Sequence, residues 1–337
     1  MGTNNTKEQH SRKISFRNNS DRLLSTEQLR EERISTASND TSSTSSTNKF
    51  KYIEGRRFHN WPDTHYDLPN DDIEVDRLHL EHFLIRDVWQ SNFSSPIHEK
   101  LLSGCNVLDV GCGPGAWCLD MATQYKNSKF TGLDISPIFP TEIKPRNTIF
   151  QECQILEGIP YKNQTFDFCH MRFMFPSFDE NQWRTYVINE VSRVLKIGGY
   201  FEISEYRLCE NTGPILQRLF DLRCEMMMNI GRNPNIASLL GEFMRDTNLF
   251  EEIIYEEKVI DTGSWAGKIG EAARDDVFTR MHAIKPALMN HIRYSGLGIS
   301  SEDYDEMLNQ CIEEFNEYKT YFVTCRWYGK KIKNNPS

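Results

Sequence analysis

The sequence predicts an α/β fold: a seven-stranded, mostly parallel sheet with an antiparallel last strand, helices on both faces and a helical lid inserted before that last strand. Three observations predict it. Short β-prone runs alternate with helical patterns between about residues 101 and 206. A glycine loop in "VLDVGCGPGAW", Val107 to Trp117, joins the first run to the first of these helices. After Glu205 the rhythm changes to helices bracketed by two more β-prone stretches, "FEEIIYEEKVID" and "YKTYFVTCRWYG". Strands that alternate with helices at this spacing pair in parallel and are covered on both faces.

The elements follow in order. Residues 1–49 contain "STASNDTSSTSSTN" and almost no large apolar residue, so they are expected to be a disordered Ser/Thr-rich tail that cannot offset the entropy of ordering. The opening "MGTNNTK" places Gly2 and Thr6 in the N-myristoylation pattern, with Lys7, Arg12, Lys13, Arg17 and Arg22 behind them. One acyl chain with a basic patch gives reversible membrane binding; the alternative is a chance match on a solvated tail. Residues 50–100 form an N-terminal lead-in segment and helix. "FKYIEGRRFHNWPDTHYDLPNDD" reads as ordered but irregular. In the helix that follows, Asp71 and Glu74 make a capping box, and Leu80, Phe83, Leu84 and Val88 share one face.

Residues 101–337 form the main domain. Its strands are expected at Asn106–Val110, Lys129–Asp134, near Thr148–Gln154, and in "QTFDFCHMRF" and "YFEISEY". Helices are expected near Ala116–Tyr125 and over Trp183, Val187, Val191 and Val194, the latter ended by Gly198–Gly199. Further helices cover about 212–230 and 235–247, and the lid helices lie at about 262–317.

The bulk composition narrows the function. A net charge of −9 argues against a general nucleic-acid binder. The nine cysteines form no CxxC pair, which reads as reduced thiols in the cytoplasm or nucleus with no metal site. No apolar run approaches the roughly 18 to 20 residues of a transmembrane helix.

The glycine loop narrows it further. In open α/β sheets ligands sit at the carboxyl ends of the strands. The spacing Gly111-x-Gly113-x-Gly115 is GxGxG, unlike the GxGxxG of dinucleotide enzymes. Asp109, two residues before the first glycine, repels a pyrophosphate and suits a cationic ligand end. Asp134, ending the second strand, is placed to accept hydrogen bonds from ribose hydroxyls. S-adenosylmethionine (SAM) has both a cationic end and an adenosine. The competing structural reading makes Asp109 a turn cap and Asp134 a turn starter.

The run "VLDVGCGPGAWCLDMATQY…FTGLDISPIFP…FDFCHMRFM…EVSRVLKIGGYFEISEY" resembles the class I SAM-dependent methyltransferases, and more narrowly the fungal LaeA-like, or TAM-domain, methyltransferases. "GRRFHNWPDTHYDLPNDDIEVDRLHLEH" is similar to their N-terminal motif. The resemblance implies a Rossmann-like sheet. It implies that Asp109, Gly111, Cys112, Gly113 and Gly115 line the methionine and ribose part of SAM, with Asp134 and Ile135 at the ribose and adenine. Gln154 and the Ile155 amide would meet the adenine edge, where many relatives carry an acid or Asn instead. His170 would sit under the sulfonium.

If the acceptor must lose a proton, the candidate catalytic bases are His170 and Glu205, at the carboxyl ends of two strands; each could equally be a shell or packing residue. Trp265, Met281, His282, Met289, His291 and Tyr294 in the lid could form an apolar acceptor pocket or simply core. Arg56–Arg57 could bind the SAM carboxylate or pin the lead-in segment. The expected function is methyl transfer to an O, N or C nucleophile of a small molecule. The alternatives are a LaeA-like regulatory methyltransferase acting on protein or within a complex, a SAM-binding scaffold and, more remotely, a dehydrogenase.

Overall fold

The computed structural model describes residues 50–61, 66–207 and 209–335. The expected tail, with Gly2 and its acylation pattern, lies outside these. Seven strands form one sheet: β3 (Asn106–Val110), β4 (Lys129–Asp134), β5 (Thr148–Glu152), β6 (Phe166–Arg172), β7 (Leu195–Tyr206), β8 (Phe250–Asp261) and β9 (Tyr321–Lys331). Their spatial order is β5-β4-β3-β6-β7-β9-β8. The pairs among β3–β7 are parallel, and β9 runs antiparallel to both β7 and β8. The fold class expected from the alternation is the one observed.

Each face of the sheet has its own core. Along β3 and β6, Leu108, Val110, Cys169 and Met171 pack against α4 and α6 (Leu240–Asp246). The helix α4 runs as Glu180–Gln182, a π-turn Trp183–Val187 and Ile188–Val194. Val107, Phe130 and Phe168, with the opposite parity, pack against α2 (His98–Ser103) and α3 (Ala116–Gln124). This is the period-two alternation of strands buried on both sides. A third core lies under the lid, where α1 (Asp72–Trp89), α5 (Pro214–Asn229), α7 (Gly267–Ser295) and α8 (Ser301–Glu317) bury Ile85, Leu219, Ile284, Tyr304 and Phe315.

Three local expectations need correction. Part of the lead-in segment is a regular hairpin, β1 (Phe50–Ile53) with β2 (Arg56–His59), turned by Glu54 and Gly55 with positive φ. The helix α4 ends at Val194. Lys196–Gly199 instead opens β7, where the register with β6 shifts and Gly198 takes φ +80 as a bulge. On α1, Asp71 does cap Glu74, but Leu80 and Phe83 are 70% and 48% exposed. The inward face is mixed: Glu74, Arg77, Glu81 and His82 are buried together with Leu84, as expected, and Ile85 and Trp89.

That inward face clasps the lid. Arg77 pairs with Glu74, Glu81 and Asp276, and Arg280 pairs with Glu81 and Asp276, joining α1 to α7. Buried charges survive only when paired this way. Among the described residues no helix is long and apolar enough to cross a membrane.

Candidate active site

The carboxyl ends of β3, β4 and β6 open into a cleft with about 1400 Å³ of free space, partly continuous with solvent. The glycine loop forms its floor. Gly111, Gly113 and Gly115 all have positive φ, where a side chain is strained. A Cβ on Gly115 would also lie 2.5 Å from the Phe150 ring, and one on Gly111 would lie 2.2 Å from Met174 Sδ.

The loop spends its amides on the protein itself. The Gly111 and Cys112 N–H groups donate to Leu133 O at 2.7 and 3.0 Å. Gly113 N–H donates to Asp134 Oδ2 at 2.7 Å, and Gly115 N–H to Cys112 O at 2.9 Å. A phosphate-cradling loop presents free amides to its ligand. These four are occupied, and the loop offers carboxylates to the cleft instead.

Two carboxylates dominate. Asp109 is buried, and its Oδ1 faces His170 Nδ1 at 2.9 Å, while the Cys118 thiol donates to its Oδ2 at 3.6 Å. Asp134 accepts from Gly113 through Oδ2 and from Ser136 N–H through Oδ1. Burial, with Asp109 nearby as a second like charge, pushes its pKa up to about 6. The Ser136, Gly113 and Ile135 amides pull the other way, toward the ionised form.

Asp109, Gly111, Cys112, Gly113, Asp134, Ile135, Gln154 and Ile155 all line the cleft, while Gly115 shapes the loop behind them. Gln154 also caps the short turn Ile155–Glu157, accepting from Leu156 N–H at 3.4 Å.

The two proposed bases are placed differently from the expectation. His170 is 1% exposed and lies outside the cleft wall, stacked on Trp117 with ring centroids 4.0 Å apart. It pairs across the sheet with Asp109 and so orients that carboxylate. Glu205 is fully buried beneath the segment after β6, where its Oε1 accepts from Met174 N–H at 2.7 Å. Burial pushes its pKa up to about 8, against the opposing pull of the Met174 and Phe175 amides. Neither lines the cleft. Both sit one layer behind it, because the carboxyl end of each strand continues past them into Arg172 and Tyr206.

Arg56 and Arg57 pin the lead-in segment. Arg56 Nη2 donates to Asp71 at 3.0 Å, and Arg57 Nε donates to Asn70 O and Oδ1 at 3.2 Å. Of the lid residues singled out, Tyr294 is 83% exposed, whereas Met281 is buried and lines a second cavity described below.

Several further cleft residues are not singled out individually in the sequence. Tyr66, Asn70, Leu78 and Glu81 come from the lead-in segment and α1, Arg172 and Met174 from the end of β6, and Arg232 from beyond α5. The abrupt onset of aromatics after residue 50 and the likeness of "GRRFHNWPDTHYDLPNDDIEVDRLHLEH" to an N-terminal family motif are the signals that this segment is built into the domain. Glu81 stands among the cations Arg77, Arg280 and Arg172, which hold its carboxyl below the usual range against burial.

Comparison with known proteins agrees with this geometry. A methyltransferase-domain family model matches residues 107–199, from β3 into β7. The methyltransferase pytC of Aspergillus terreus is 29% identical over 244 residues, 69% of this chain and 72% of that one. The N-methyltransferase gliN of Aspergillus fumigatus is 26% identical, covering 74% of this chain and 90% of that one. The secondary metabolism regulator laeA of Coprinopsis cinerea is 25% identical, covering 79% and 69%. The match begins on the strand that carries Asp109 and takes in the whole glycine loop and Asp134, so the chain carries a methyltransferase domain and is similar to SAM-dependent methyltransferases, the fungal LaeA-like enzymes among them.

Proposed function

We propose that this chain binds SAM along the glycine loop and methylates a small-molecule acceptor held under the lid. The observation that carries the binding mode is the loop itself, whose four amides are satisfied internally while Asp109 and Asp134 face the cleft. Such a wall repels a pyrophosphate and favours an ammonium and a sulfonium. SAM, when bound, supplies a methyl on positively charged sulfur, so that an acceptor lone pair forms the new bond as the C–S bond breaks and its electrons return to sulfur.

The chain's own residues bind and orient. Asp109, held in place by His170 and Cys118, receives the ammonium end. Asp134 accepts from the ribose hydroxyls. Ile135, Gln154 and Ile155 bound the adenine. Proximity, alignment and exclusion of water then carry the rate, as expected for a reaction whose leaving group is already activated. His170 and Glu205 act as positioning residues, and the acceptor's proton leaves to water.

A small-molecule acceptor is supported by the covering of the cleft by α1 and the α5 connection, with Glu81 and Arg232 in its wall. The relatives named N-methyltransferase favour a nitrogen nucleophile. The likeness to laeA regulators supports a second reading, with a protein acceptor. Supplying methyl-labelled SAM and the purified chain to a cell extract separates the two. Label is expected in the small-molecule fraction; label confined to protein contradicts the first reading.

A further inference from the structure

Behind the segment that follows β6 lies a second cavity, partly continuous with solvent, with about 560 Å³ of free space counting the open part. It is bounded by the end of β7, β9, α5 and α7. Its body is apolar and aromatic, with Phe175, Phe220, Phe322 and Met281 among its walls. Its charged wall residues are Arg207, Arg223 and Arg280, and among the described residues no Asp or Glu lines it.

The three arginines are not equally satisfied. Arg280 is bound to Glu81 and Asp276, and Arg207 lies on the half-exposed rim beside Glu210 and Glu257. Arg223 is 7% exposed, and its one ion pair, to Asp67, is loose at 3.6 Å. Among the described residues its Nε has no hydrogen-bond partner, and neither carboxylate oxygen of Asp67 has one. A buried guanidinium left in this state costs free energy unless a ligand completes it. The Arg223 guanidinium also lies over the Phe175 ring, 5.2 Å from its centroid, which holds it at the cavity wall.

The two cavities share one wall. Phe173 and Met174 line the cleft, and Phe175 lines the second cavity. Phe173 takes φ +57, an unusual conformation for a bulky side chain, and stacks on Tyr206 with centroids 4.3 Å apart.

We propose that the second cavity is a ligand site separate from the methyl-donor cleft, and that it takes a molecule with an aromatic, apolar body and a carboxylate or similar anionic group set against Arg223.

The test is calorimetric titration with 2-naphthoate and with its neutral analogue 2-naphthamide. The naphthoate is expected to bind wild type at least about tenfold more tightly, the size of one charge-assisted hydrogen bond. Arg223→Met should erase that preference. Cys224→Trp fills the same cavity without touching its charges, and should abolish binding of both probes. SAM affinity should stay within about threefold in both variants. Equal affinity for the two probes, an undiminished preference in Arg223→Met, or direct competition between naphthoate and SAM overturns the proposal. If SAM fails to bind wild type while the naphthoate pattern holds, the methyl-donor reading falls and the anion site stands. If SAM binds and the naphthoate pattern is absent, the anion site alone falls.

Discussion

The two cavities sit on either side of one three-residue wall and carry opposite charge. The cleft over the glycine loop is lined by Glu81, Asp109 and Asp134 against Arg172 and Arg232. The cavity under the lid is lined by Arg207, Arg223 and Arg280 with no acid among the described residues. The first belongs to the sheet, and its acids are fixed by backbone amides and by a histidine on the neighbouring strand. The second belongs to the lid, and its arginines reach it from α5, α7 and the end of β7. The contrast teaches that the glycine-loop cleft is written into strand ends and a loop, whereas the second cavity is assembled from helices far apart in sequence. A fold can thus keep one site and change another by altering its lid.

Removing the charge from the donor side is the strongest way to break the contrast. Asp109→Ala deletes the carboxylate nearest the loop and leaves His170 without its partner. SAM affinity measured by calorimetry should fall by about 10- to 100-fold, the range of a buried charge-assisted contact. Naphthoate binding should be unchanged. If SAM affinity holds, the acid wall has been assigned to the wrong ligand.

The second effect is pH-dependent. The Asp134 pKa is raised to about 6, and its ionised form is the better acceptor for ribose hydroxyls. SAM affinity should therefore be flat above about pH 7 and fall by up to tenfold per pH unit below about 6. Asp134→Asn should bind more weakly at pH 7 and lose this dependence. A slope that persists in the variant would place the titrating group elsewhere.

The smallest effect concerns the shared wall. The Glu205 pKa is raised from 4.5 to about 8, so its protonated form favours the fold. That contribution is present at low pH and is lost as pH rises through about 8. Glu205→Gln keeps an oxygen for the Met174 amide and carries no charge. Its melting temperature should fall less than that of wild type between pH 6 and 9, by a few degrees. Parallel melting curves would show that Glu205 does not titrate beneath the wall.

Much of the sheet was legible because its strands are apolar runs bounded by turns. Asn106–Val110, Lys129–Asp134 and Phe250–Asp261 begin and end where the pattern puts them. The cleft was legible where one loop carries it, since Asp109 and Asp134 are read directly from their distance to the glycines. The misread parts share a physical cause. On α1 the face turned inward mixes Glu74, Arg77 and Glu81 with Leu84, Ile85 and Trp89, so hydrophobic periodicity also pointed to Leu80 and Phe83, which face outward. The β1–β2 hairpin is short and polar, with Arg56 and Arg57 in its second strand, and carries no alternation. His170 and Glu205 lie near strand ends, as expected, but neither lines the cleft. The second cavity draws on four separate elements, and no local pattern announces it.

The charge of the donor wall can be tested in a single titration series, by calorimetry with SAM and with NAD on the wild-type protein. SAM should bind at one site and NAD should not, because the loop's amides are already occupied and two carboxylates stand where a pyrophosphate would lie. Micromolar NAD binding displaced by SAM would contradict the assignment.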